Sequence, residues 1–472
     1  MTTARTPDTG LPPLNSVDGA IHFMGIGGAG MCALAELVHR RGLTVTGCDT
    51  KEGEAVRRLR DMGLSVTIGH DPSHIRGAGA VVVTAAVPTD HPELGAARAA
   101  GIPVWKRAAV LGAVAGEGRV VAIAGTHGKT STTAITVRLL EEAGLDPTGL
   151  VGGTVSAWGG NLRIGGDLYV VEADEYDRSF HHLAPDVAVV TNLEADHLDI
   201  YGSLDGVYEA FHTFLAGLRP GGRAIVCADD PGASSLLPRL GSAGYTYGTS
   251  AGSQLRAYDI VSGPEGARFR VSEDGRDVGD ATLPVPGRHS LQNALAAAAV
   301  ARRCGADWAA IRRGWAAHRG VRRRFDRLAA VSGVEVVDDY AHHPTEIVAT
   351  LAAAREAWPN HRLVAVFQPH LFSRTRDFAD DFGRVLAQAD VAWVTGIFPA
   401  REKPIAGVDH HLVVDAVERA GGDVREHADL ETLHAAVAED VREGDVVIAM
   451  GAGSIEHFGP RLIGRLEEIV HA

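Results

Sequence analysis

One stretch of the chain, Val120–Thr133, constrains the fold more than any other. An apolar run ends in a turn that contains Gly125 and Gly128, and Lys129 and a series of hydroxyl side chains follow. Backbone N–H groups at such glycines can approach phosphate oxygens closely, the lysine adds a positive charge, and the N-terminus of a helix favours anions. The stretch therefore predicts a phosphate-binding loop between a strand and a helix in an α/β protein.

The loop is tighter than the general phosphate-binding pattern, because Ile123 stands where that pattern has its first glycine. An ordinary glycine-rich turn is the alternative explanation. The lysine and the hydroxyls favour a nucleotide triphosphate, and the hydroxyl of Thr130 is suited to Mg²⁺. The predicted nucleotide contacts are Gly125, Thr126, His127, Gly128, Lys129, Thr130 and Ser131.

Length and composition indicate a multidomain soluble enzyme. The 472 residues are too many for one ordinary core and suggest roughly three domains, and 45% hydrophobic residues with 57 glycines fit the α/β class. No run approaches about 18 uninterrupted apolar residues, and the polar start lacks the apolar segment of a signal peptide. We therefore expect a cytoplasmic protein without membrane insertion and with a flexible tail over residues 1–17.

The net charge limits the classes of binding partner, and the cysteine positions indicate the state of the thiols. The formal net charge of −14, without a long basic run, argues against nucleic-acid binding. Cys32, Cys48, Cys227 and Cys304 lie far apart in predicted helix or strand and form no CxxC pair. They are expected to be buried, reduced thiols.

The first segment alternates strands and helices, which predicts a parallel sheet with helices on its faces. Its first turn, Gly25–Gly30, has the GxGxxG pattern, and Asp49 ends the next strand. This pattern fits a nicotinamide or flavin cofactor, but any diphosphate satisfies the same physics, including that of a nucleotide sugar. The predicted strands are Ile21–Gly25, Thr44–Asp49, Ala80–Ala86 and Val104–Lys106.

The second segment begins with the phosphate-loop strand and continues as parallel α/β structure. Four carboxylates, in Glu172–Asp177, follow one of its strands, and such a cluster requires a cation to offset the repulsion. Mg²⁺ is the natural cation, with Glu172 as its ligand, although a solvated acidic loop is the alternative. The predicted strands are Tyr169–Asp174, Val187–Leu193 and Arg223–Ala228, followed by short antiparallel stretches over Tyr245–Val285 and a helix near Ser290.

A histidine also lies at a strand end of this segment. His197 stands among Glu194, Asp196 and Asp199. Beside a phosphate site it can ligate a metal or position a substrate, and its nitrogen ligand would also admit Mn²⁺. A structural role is the alternative.

Further along, polar clusters coincide with a helix start, a domain boundary and two strand ends. Asn293 opens an Ala-rich helix, and Arg322–Arg324 concentrates three guanidiniums suited to phosphate, or else forms a solvated basic hinge. Asp338–Pro344 and Phe367–Arg376 follow adjacent strands, and their arginines suit an amino-acid carboxylate or a phosphate. The predicted strands of this third segment are Val334–Asp338, Leu363–Gln368, Ala392–Gly396 and Val446–Met450.

The order of these motifs resembles that of the Mur ligase family over essentially the whole chain after the tail. Eight ordered motifs carry the resemblance: Gly25–Gly30, Gly125–Thr130, Glu172–Asp177, Asn192–His197, Gly287–Asn293, Arg322–Phe325, Asp338–His343 and Phe367–Arg376. Several members use a carbamylated lysine downstream of the metal histidine, but Phe211–Phe214 contains none, so that device is not expected here.

The resemblance implies three domains. A Rossmann-like N-terminal domain over 18–112 would bind a UDP-sugar, and a central P-loop ATPase domain over 113–324 would have a mainly parallel sheet with a small antiparallel portion. A C-terminal Rossmann-like domain over 325–472 would bind the amino acid and help to bind ATP.

The resemblance also implies residue roles. ATP would be bound by the loop together with Asn293 and Arg324, and Mg²⁺ or Mn²⁺ by Thr130, Glu172 and His197. The catalytic set would be Lys129, Glu172, His197 and His343. The substrate-binding set would be Gly25, Gly27, Gly28, Gly30, Asp49, His70, Tyr340, Arg374 and Arg376.

The implied activity is ATP-dependent amide formation between L-alanine and the lactyl carboxylate of UDP-N-acetylmuramate, through an acyl phosphate, in peptidoglycan precursor synthesis. The implied assembly is a monomer or weak homodimer. Three alternatives stay open: the ligase of the same family that recycles murein tripeptide, which the Glu175-Tyr176 pair also resembles, a nicotinamide-dependent oxidoreductase, and a regulatory ATP-binding module.

Overall fold

A computed structural model describes residues 10–400 and 402–471 of the chain. Most of the expected tail, residues 1–9, lies outside this part, and Leu14–Ser16 forms a short 3-10 helix. The chain divides into two compact units, one of residues 1–258, 271–279 and 292–315, and the other of residues 259–270, 280–291 and 316–472. In the residues that the structure describes, no helix is long and apolar enough to cross a membrane.

The first sheet is parallel, as the alternating pattern predicts, and has the strand order β3-β2-β1-β4-β5. Its third strand was not predicted because only one of its four residues, Val66, is buried. The elements are β1 (Ala20–Met24), α1 (Ala29–Arg40), β2 (Val45–Asp49), α2 (Glu54–Asp61), β3 (Ser65–Ile68), β4 (Ala78–Val83), α3 (Pro92–Ala99), β5 (Val104–Lys106) and α4 (Arg107–Gly116).

The second sheet has ten strands and carries the phosphate loop. Its elements are β6 (Arg119–Ala124), α5 (Lys129–Glu142), β7 (Pro147–Val155), β8 (Gly160–Arg163), β9 (Leu168–Glu172), β10 (Val187–Val190), α6 (Leu198–Tyr201), α7 (Leu204–Ala216), β11 (Arg223–Cys227), α8 (Pro231–Ser234), α9 (Leu237–Leu240), β12 (Gly244–Gly248), β13 (Leu255–Gly263), β14 (Gly266–Glu273), β15 (Arg276–Leu283), α10 (Arg288–Arg303) and α11 (Trp308–Ala317).

The strand order of this sheet is β15-β14-β13-β12-β11-β10-β6-β9-β7-β8. The strands from β12 to β7 pair in parallel, and β8 pairs antiparallel with β7. Two-residue turns join β13 to β14 and β14 to β15, and such turns connect antiparallel neighbours. A mainly parallel sheet with a small antiparallel portion is thereby confirmed.

The third sheet has the order β16-β17-β21-β18-β19-β20, with only β16 antiparallel to its neighbour. Adjacent residues such as Val336 and Val337 belong to two different buried clusters, so both faces of the sheet are covered. The elements are β16 (Asp326–Val331), β17 (Val334–Asp339), α12 (Pro344–Ala357), β18 (Arg362–Phe367), α13 (Phe372–Leu386), β19 (Val391–Val394), α14 (His411–Arg419), β20 (Val424–Glu426), α15 (Leu430–Asp440), β21 (Asp445–Met450) and α16 (Phe458–His471).

The prediction for the cysteines is correct for three and wrong for one. Cys32, Cys48 and Cys227 are buried, whereas Cys304 is partly exposed. Cys304 lies in the turn immediately after α10, because that helix ends at Arg303. All four cysteines are free thiols.

Asp229 connects the second sheet to α10. Its carboxylate accepts hydrogen bonds from Thr249 N at 2.7 Å, Ser250 N at 2.9 Å and Gln292 Nε2 at 3.1 Å. Burial raises the pKa of this carboxyl, but bonds from Ser250, Thr249 and Gln292 outweigh burial and hold the pKa well below its usual value. Asp229 thus holds α10 at Gln292, the residue that precedes Asn293.

Asp229→Asn is expected to lower the free energy of unfolding by about 1–3 kcal/mol at pH 7, since hydrogen bonds to a charged acceptor are lost. Because the folded-state pKa is depressed, this stabilisation is present above about pH 4 and is lost as the pH falls through the folded value. Thermal unfolding between pH 3 and 7 measures the effect. The matched control is Asp280→Asn, at a side chain that is 92% exposed. Equal melting temperatures for both variants would contradict the prediction.

Candidate active site

Three adjacent strand ends form the edge at which the phosphate loop lies. β6 pairs with β9 on one side and β10 on the other, and Ile123 is in register with Glu172 while Ala124 is in register with Val190. The loop after β6, the acidic cluster after β9 and the polar segment after β10 therefore begin at the same edge. Ligands of open parallel sheets bind at this carboxyl edge.

The segment after β10 holds the loop in place. Thr191 Oγ1 donates to His127 O at 2.6 Å, and Asn192 Oδ1 accepts from His127 N at 2.7 Å. Thr126 N donates to the backbone oxygen of Asn192 at 3.2 Å. These bonds require Thr191 and Asn192 to leave the strand, which is why β10 ends at Val190 rather than at the predicted Leu193.

Both glycines of the loop are required by its geometry. Gly125 has φ +134°, and a Cβ there would lie 2.0 Å from Thr191 Oγ1. Gly128 has φ +83° and would bring a Cβ to 2.5 Å from Asn293 Oδ1. Asn293 also accepts a hydrogen bond from Thr132 Oγ1 at 3.1 Å. The structure therefore brings Asn293 against the loop, as an ATP contact would require.

Lys129 is the most densely contacted side chain of the loop. Its Nζ lies 2.8 Å from both carboxylate oxygens of Glu175, 2.6 Å from Gly125 O and 3.2 Å from Thr126 O. The side chains are only 15% and 5% exposed. The ammonium thus occupies the mouth of the loop and is held by an anion and two carbonyls.

The Lys129–Glu175 pair is ionised at neutral pH. Burial lowers the pKa of Lys129, but Glu175, Asp174 and Glu172 outweigh burial and raise it. Burial raises the pKa of Glu175 above its usual value, and Lys129 offsets only part of that rise. We take both groups as charged because Nζ contacts both carboxylate oxygens at 2.8 Å.

The predicted metal ligands lie around the same edge. Thr130 is in the first turn of α5, 6% exposed, and Glu172 Oε1 accepts from Gly152 N at 2.8 Å. A Cβ on Gly153 would lie 3.1 Å from Thr130 Cγ2, and one on Gly152 would lie 3.1 Å from Glu172 Oε2. One glycine pair of β7 therefore packs against both side chains, whose oxygen donors suit Mg²⁺.

His197 contacts Glu175 of the Lys129–Glu175 pair rather than the predicted metal ligands Thr130 and Glu172. Its Nε2 lies 3.9 Å from Glu175 Oε1 and 3.7 Å from Asp196 Oδ2, and its ring packs edge-on against Tyr176. Within the described part of the chain, the clustered metal-ligand groups of three or more His, Cys, Asp and Glu side chains include neither His197 nor Glu172. The role of His197 as a metal ligand stays a prediction.

The glycine turn of the first sheet is held by the acidic residue at the end of β2. Asp49 Oδ2 accepts from Gly27 N at 2.8 Å, and Gly25 N donates to Cys48 O at 2.8 Å. A Cβ on Gly30 would lie 3.0 Å from an Arg107 guanidinium nitrogen, whereas Gly28 begins α1 as its N-cap. His70 contacts Cys48 and Glu93, and its role as a substrate contact stays a prediction. The turn therefore has a cation beside it that suits a diphosphate.

In the second compact unit, Arg324 and Tyr340 lie together. The Arg324 guanidinium carbon is 4.9 Å from the centre of the Tyr340 ring, and its nitrogen is 3.9 Å from Glu346. Burial lowers the pKa of His289 to about 4, and Arg324 contributes to the lowering. Asp339 accepts from Phe325 N at 3.0 Å and Ala341 N at 2.9 Å, which fixes the segment that carries Tyr340.

His343 is buried at the N-cap of α12, with its ring 5.0 Å from that of Phe378. Arg374 and Arg376 are two positions apart on α13, and residues with that spacing do not share a face of a helix. Arg376 is 53% exposed and pairs with its neighbour Asp377 at 2.7 Å. The structure therefore does not bring the two arginines together.

Three contacts were not predicted from the sequence. Glu175 was recognised only as part of an acidic cluster, although it is the partner of Lys129. The sequence gives Asn192 no role beyond its place in a motif, and the predicted site does not include Arg107. A signal existed for Arg107, since Lys106-Arg107 stands at the boundary between β5 and α4.

Comparison with known proteins gives three matching family models in chain order. Residues 20–119 match the Mur ligase family, catalytic domain, residues 123–301 match the Mur ligase middle domain, and residues 323–453 match the Mur ligase, glutamate ligase domain. Together these models cover most of the chain.

Relatives and solved structures agree with these models. The UDP-N-acetylmuramate–L-alanine ligase of Bordetella pertussis is 45% identical over 94% of this chain and 98% of that protein, and the one of Leptothrix cholodnii is 44% identical over 95% and 98%. The UDP-N-acetylmuramate-alanine ligase of Thermotoga maritima superposes with a TM-score of 0.81 at 28% identity, over 96% of this chain and 100% of that one. The murein peptide ligase of Psychrobacter arcticus gives 0.68 at 25%, over 95% and 98%. The chain therefore belongs to the Mur ligase family.

Proposed function

We propose that this chain is an ATP-dependent ligase that joins L-alanine to the lactyl carboxylate of UDP-N-acetylmuramate, in peptidoglycan precursor synthesis. The Lys129–Glu175 pair at the mouth of the phosphate loop carries the nucleotide part of the proposal. The substrates follow from 45% identity over 94% of the chain to a protein named for this reaction.

A carboxylate is a poor electrophile and does not react with an amine at neutral pH until it is activated. We assign the activation to transfer of the γ-phosphoryl group of ATP, which gives an acyl phosphate and ADP. Lys129 keeps its proton, since its pKa is raised, and its charge stabilises the transferring phosphoryl group. Its contacts with Glu175, Gly125 and Thr126 place the ammonium beside the N–H groups that receive the phosphates.

Mg²⁺ fits the oxygen donors beside the loop. Thr130 and Glu172 would hold it, His197 would be the further ligand that also admits Mn²⁺, and the ion would neutralise charge on the phosphates when bound.

The amine of L-alanine then attacks the acyl carbon, and phosphate leaves. We assign the removal of the ammonium proton to an imidazole, His197 or His343.

We assign the substrates to three domains: the UDP-sugar to 18–112, ATP chiefly to 113–324, and L-alanine with part of the ATP site to 325–472. Arg107 joins the predicted diphosphate contacts of the first domain, because its guanidinium lies against Gly30. Arg324 belongs to the ATP contacts, and Tyr340 and Arg374 to the alanine contacts. Arg376 has the weakest support, because it is exposed and paired.

The tripeptide-recycling ligase is the competing assignment within the family. Among the solved structures, the murein peptide ligase of Psychrobacter arcticus gives a TM-score of 0.68 at 25% identity, against 0.81 at 28% for the alanine ligase of Thermotoga maritima. A nicotinamide-dependent oxidoreductase leaves the phosphate loop and Lys129 without a role, and a regulatory ATP-binding module leaves Glu172 and His197 without one.

Phosphate release from ATP with Mg²⁺ and UDP-N-acetylmuramate tests the reaction. We expect release that depends on L-alanine, together with the mass of UDP-N-acetylmuramoyl-alanine. Reactions with murein tripeptide, or without an amino acid, are the controls. Release with tripeptide alone would assign the chain to recycling, and no release with either would contradict ligase activity.

Lys129→Ala is expected to lower kcat by about 100-fold or more, because a preorganised charge on the phosphoryl group is removed. Binding of UDP-N-acetylmuramate, measured by calorimetry, is expected to stay within about twofold, since Lys129 lies outside the first sheet. Lys403→Ala, at an exposed lysine, is the matched control for loss of one positive charge. Unchanged turnover of Lys129→Ala would remove the phosphate loop from the mechanism.

Arg374→Ala is expected to raise the KM for L-alanine by about 10-fold or more, with a smaller effect on the KM for ATP, because a charge-assisted bond to the amino-acid carboxylate is lost. Steady-state kinetics with each substrate varied in turn separate the two constants. Arg384→Ala on the same helix, at a side chain that is 71% exposed, is the control. A change in the KM for ATP alone would reassign Arg374 to the nucleotide.

A further inference from the structure

A compact group of metal-ligating side chains lies in the first sheet, outside the phosphate loop. Cys48 Sγ is 3.4 Å from His70 Nδ1 and 3.4 Å from Glu93 Oε2, and these last two atoms are 3.3 Å apart. The three residues come from β2, the segment after β3 and α3, respectively. Cys48 and Glu93 are fully buried, and His70 lies at the surface end of the group.

His22 of β1 lies beside two members of this group, Cys48 and Glu93. One of its ring nitrogens, Cys48 Sγ and a Glu93 oxygen lie within 4.8 Å of one another. His22 is 1% exposed, and its Nδ1 is 2.9 Å from Thr46 Oγ1. Its Nε2 is buried and has no hydrogen-bond partner. A buried imidazole nitrogen without a partner is costly, and a bound cation would satisfy it.

We propose that His22, Cys48, His70 and Glu93 bind one zinc-class divalent cation in the N-terminal domain. With bonds of about 2.3 Å to sulfur and about 2.0–2.1 Å to nitrogen or oxygen, tetrahedral ligands lie about 3.3–3.6 Å apart. The three distances among Cys48, His70 and Glu93 match this spacing. One thiolate, two imidazoles and one carboxylate are ligand types that zinc accepts in four-coordinate sites.

The surroundings orient these ligands. Glu93 Oε1, which is 3.7 Å from Cys48 Sγ, accepts from Asp71 N at 2.8 Å and lies 3.0 Å from His74 Nδ1. Thr46 engages the other nitrogen of His22. Hydrogen bonds of this kind around metal ligands fix the orientation and tautomer of each ligand.

Binding exchanges a proton for the cation. Burial, with a contribution from Glu93, raises the pKa of the Cys48 thiol, so the metal-free group holds a neutral thiol that donates to Glu93. Burial lowers the pKa of His22 to about 4, so its imidazole is neutral at pH 7 and needs no deprotonation. The S–H bond of Cys48 therefore breaks as the S–metal bond forms, and the proton passes to solvent.

The site lies next to the glycine turn. The backbone oxygen of Cys48 accepts hydrogen bonds from Gly25 N at 2.8 Å and Ile26 N at 3.0 Å. A cation that links β1, β2, the segment after β3 and α3 would thus stabilise the turn as well as the sheet. This inference does not depend on the proposed ligase reaction, because it rests on a different set of side chains.

Cobalt serves as the probe. The full-length chain, without a polyhistidine tag, is stripped with a chelator, dialysed and titrated with CoCl₂ and then ZnCl₂. We expect one equivalent of cobalt, with the near-ultraviolet charge-transfer absorption of a thiolate–cobalt bond and the visible bands of a tetrahedral ion. One equivalent of zinc is expected to remove both signals.

Three variants locate the site. Cys48→Ser is expected to abolish the thiolate band, and His70→Ala to weaken cobalt binding by about 10-fold or more. Cys227→Ser, at a buried thiol of β11, is the matched control and is expected to keep both signals. The group of Asp409, His410 and His411 contains no thiol, so cobalt bound there gives no thiolate band.

Two outcomes of the thiolate-band measurement would overturn the proposal. One is the absence of a thiolate band in the folded wild type, which would leave a purely hydrogen-bonded group. The other is a thiolate band that persists in Cys48→Ser. Where circular dichroism shows that Cys48→Ser does not fold, His70→Ala decides, and unchanged cobalt affinity in that variant rejects the site.

Discussion

The contact of Lys129 with Glu175 is the interaction on which the candidate active site depends. A charged ammonium in a loop this enclosed requires a counter-charge, and removal of one partner from a buried pair leaves an uncompensated charge at a cost of about 3–5 kcal/mol. Gly125 O and Thr126 O accept the other hydrogen bonds of the ammonium, so the backbone of the loop is held around Lys129. A bound triphosphate would bring negative charge to the same ammonium and would compete with Glu175 for it.

The contacts of Glu172 and Glu175 give the carboxylates of the acidic cluster after β9 different roles. Glu175 faces Lys129 and His197, whereas Glu172 faces the glycine pair of β7 on the side of Thr130. Asp174 still raises the pKa of Glu175, and Lys129 offsets part of this repulsion within the cluster. The strand order β10-β6-β9 places one polar segment on each side of the phosphate loop.

The sequence was informative where local chemistry determines structure, and less so where tertiary contacts decide. The glycine loop and most of the parallel strands were predicted, because apolar runs that end in glycine or polar clusters depend on nearby residues only. The strand β3 of the first sheet was not predicted, because Ser65, Thr67 and Ile68 face solvent and leave no alternating pattern. No periodicity identifies Glu175, rather than Glu172, as the partner of the lysine.

The first sheet shows how one residue acts at two levels. Cys48 presents its backbone oxygen to the glycine turn and its thiol to Glu93 and His70, so the turn and the buried polar group share a single strand position. Glu93 is buried without a lysine or arginine partner among its described contacts, and it is stabilised by Asp71 N–H, His74 and the thiol. Burial raises the pKa of Glu93, yet hydrogen bonds from Asp71 N–H and Cys48, together with His70, hold this pKa below its usual value. Because this buried carboxylate has no lysine or arginine among its described contacts, the proposed divalent cation would supply the positive charge that balances it.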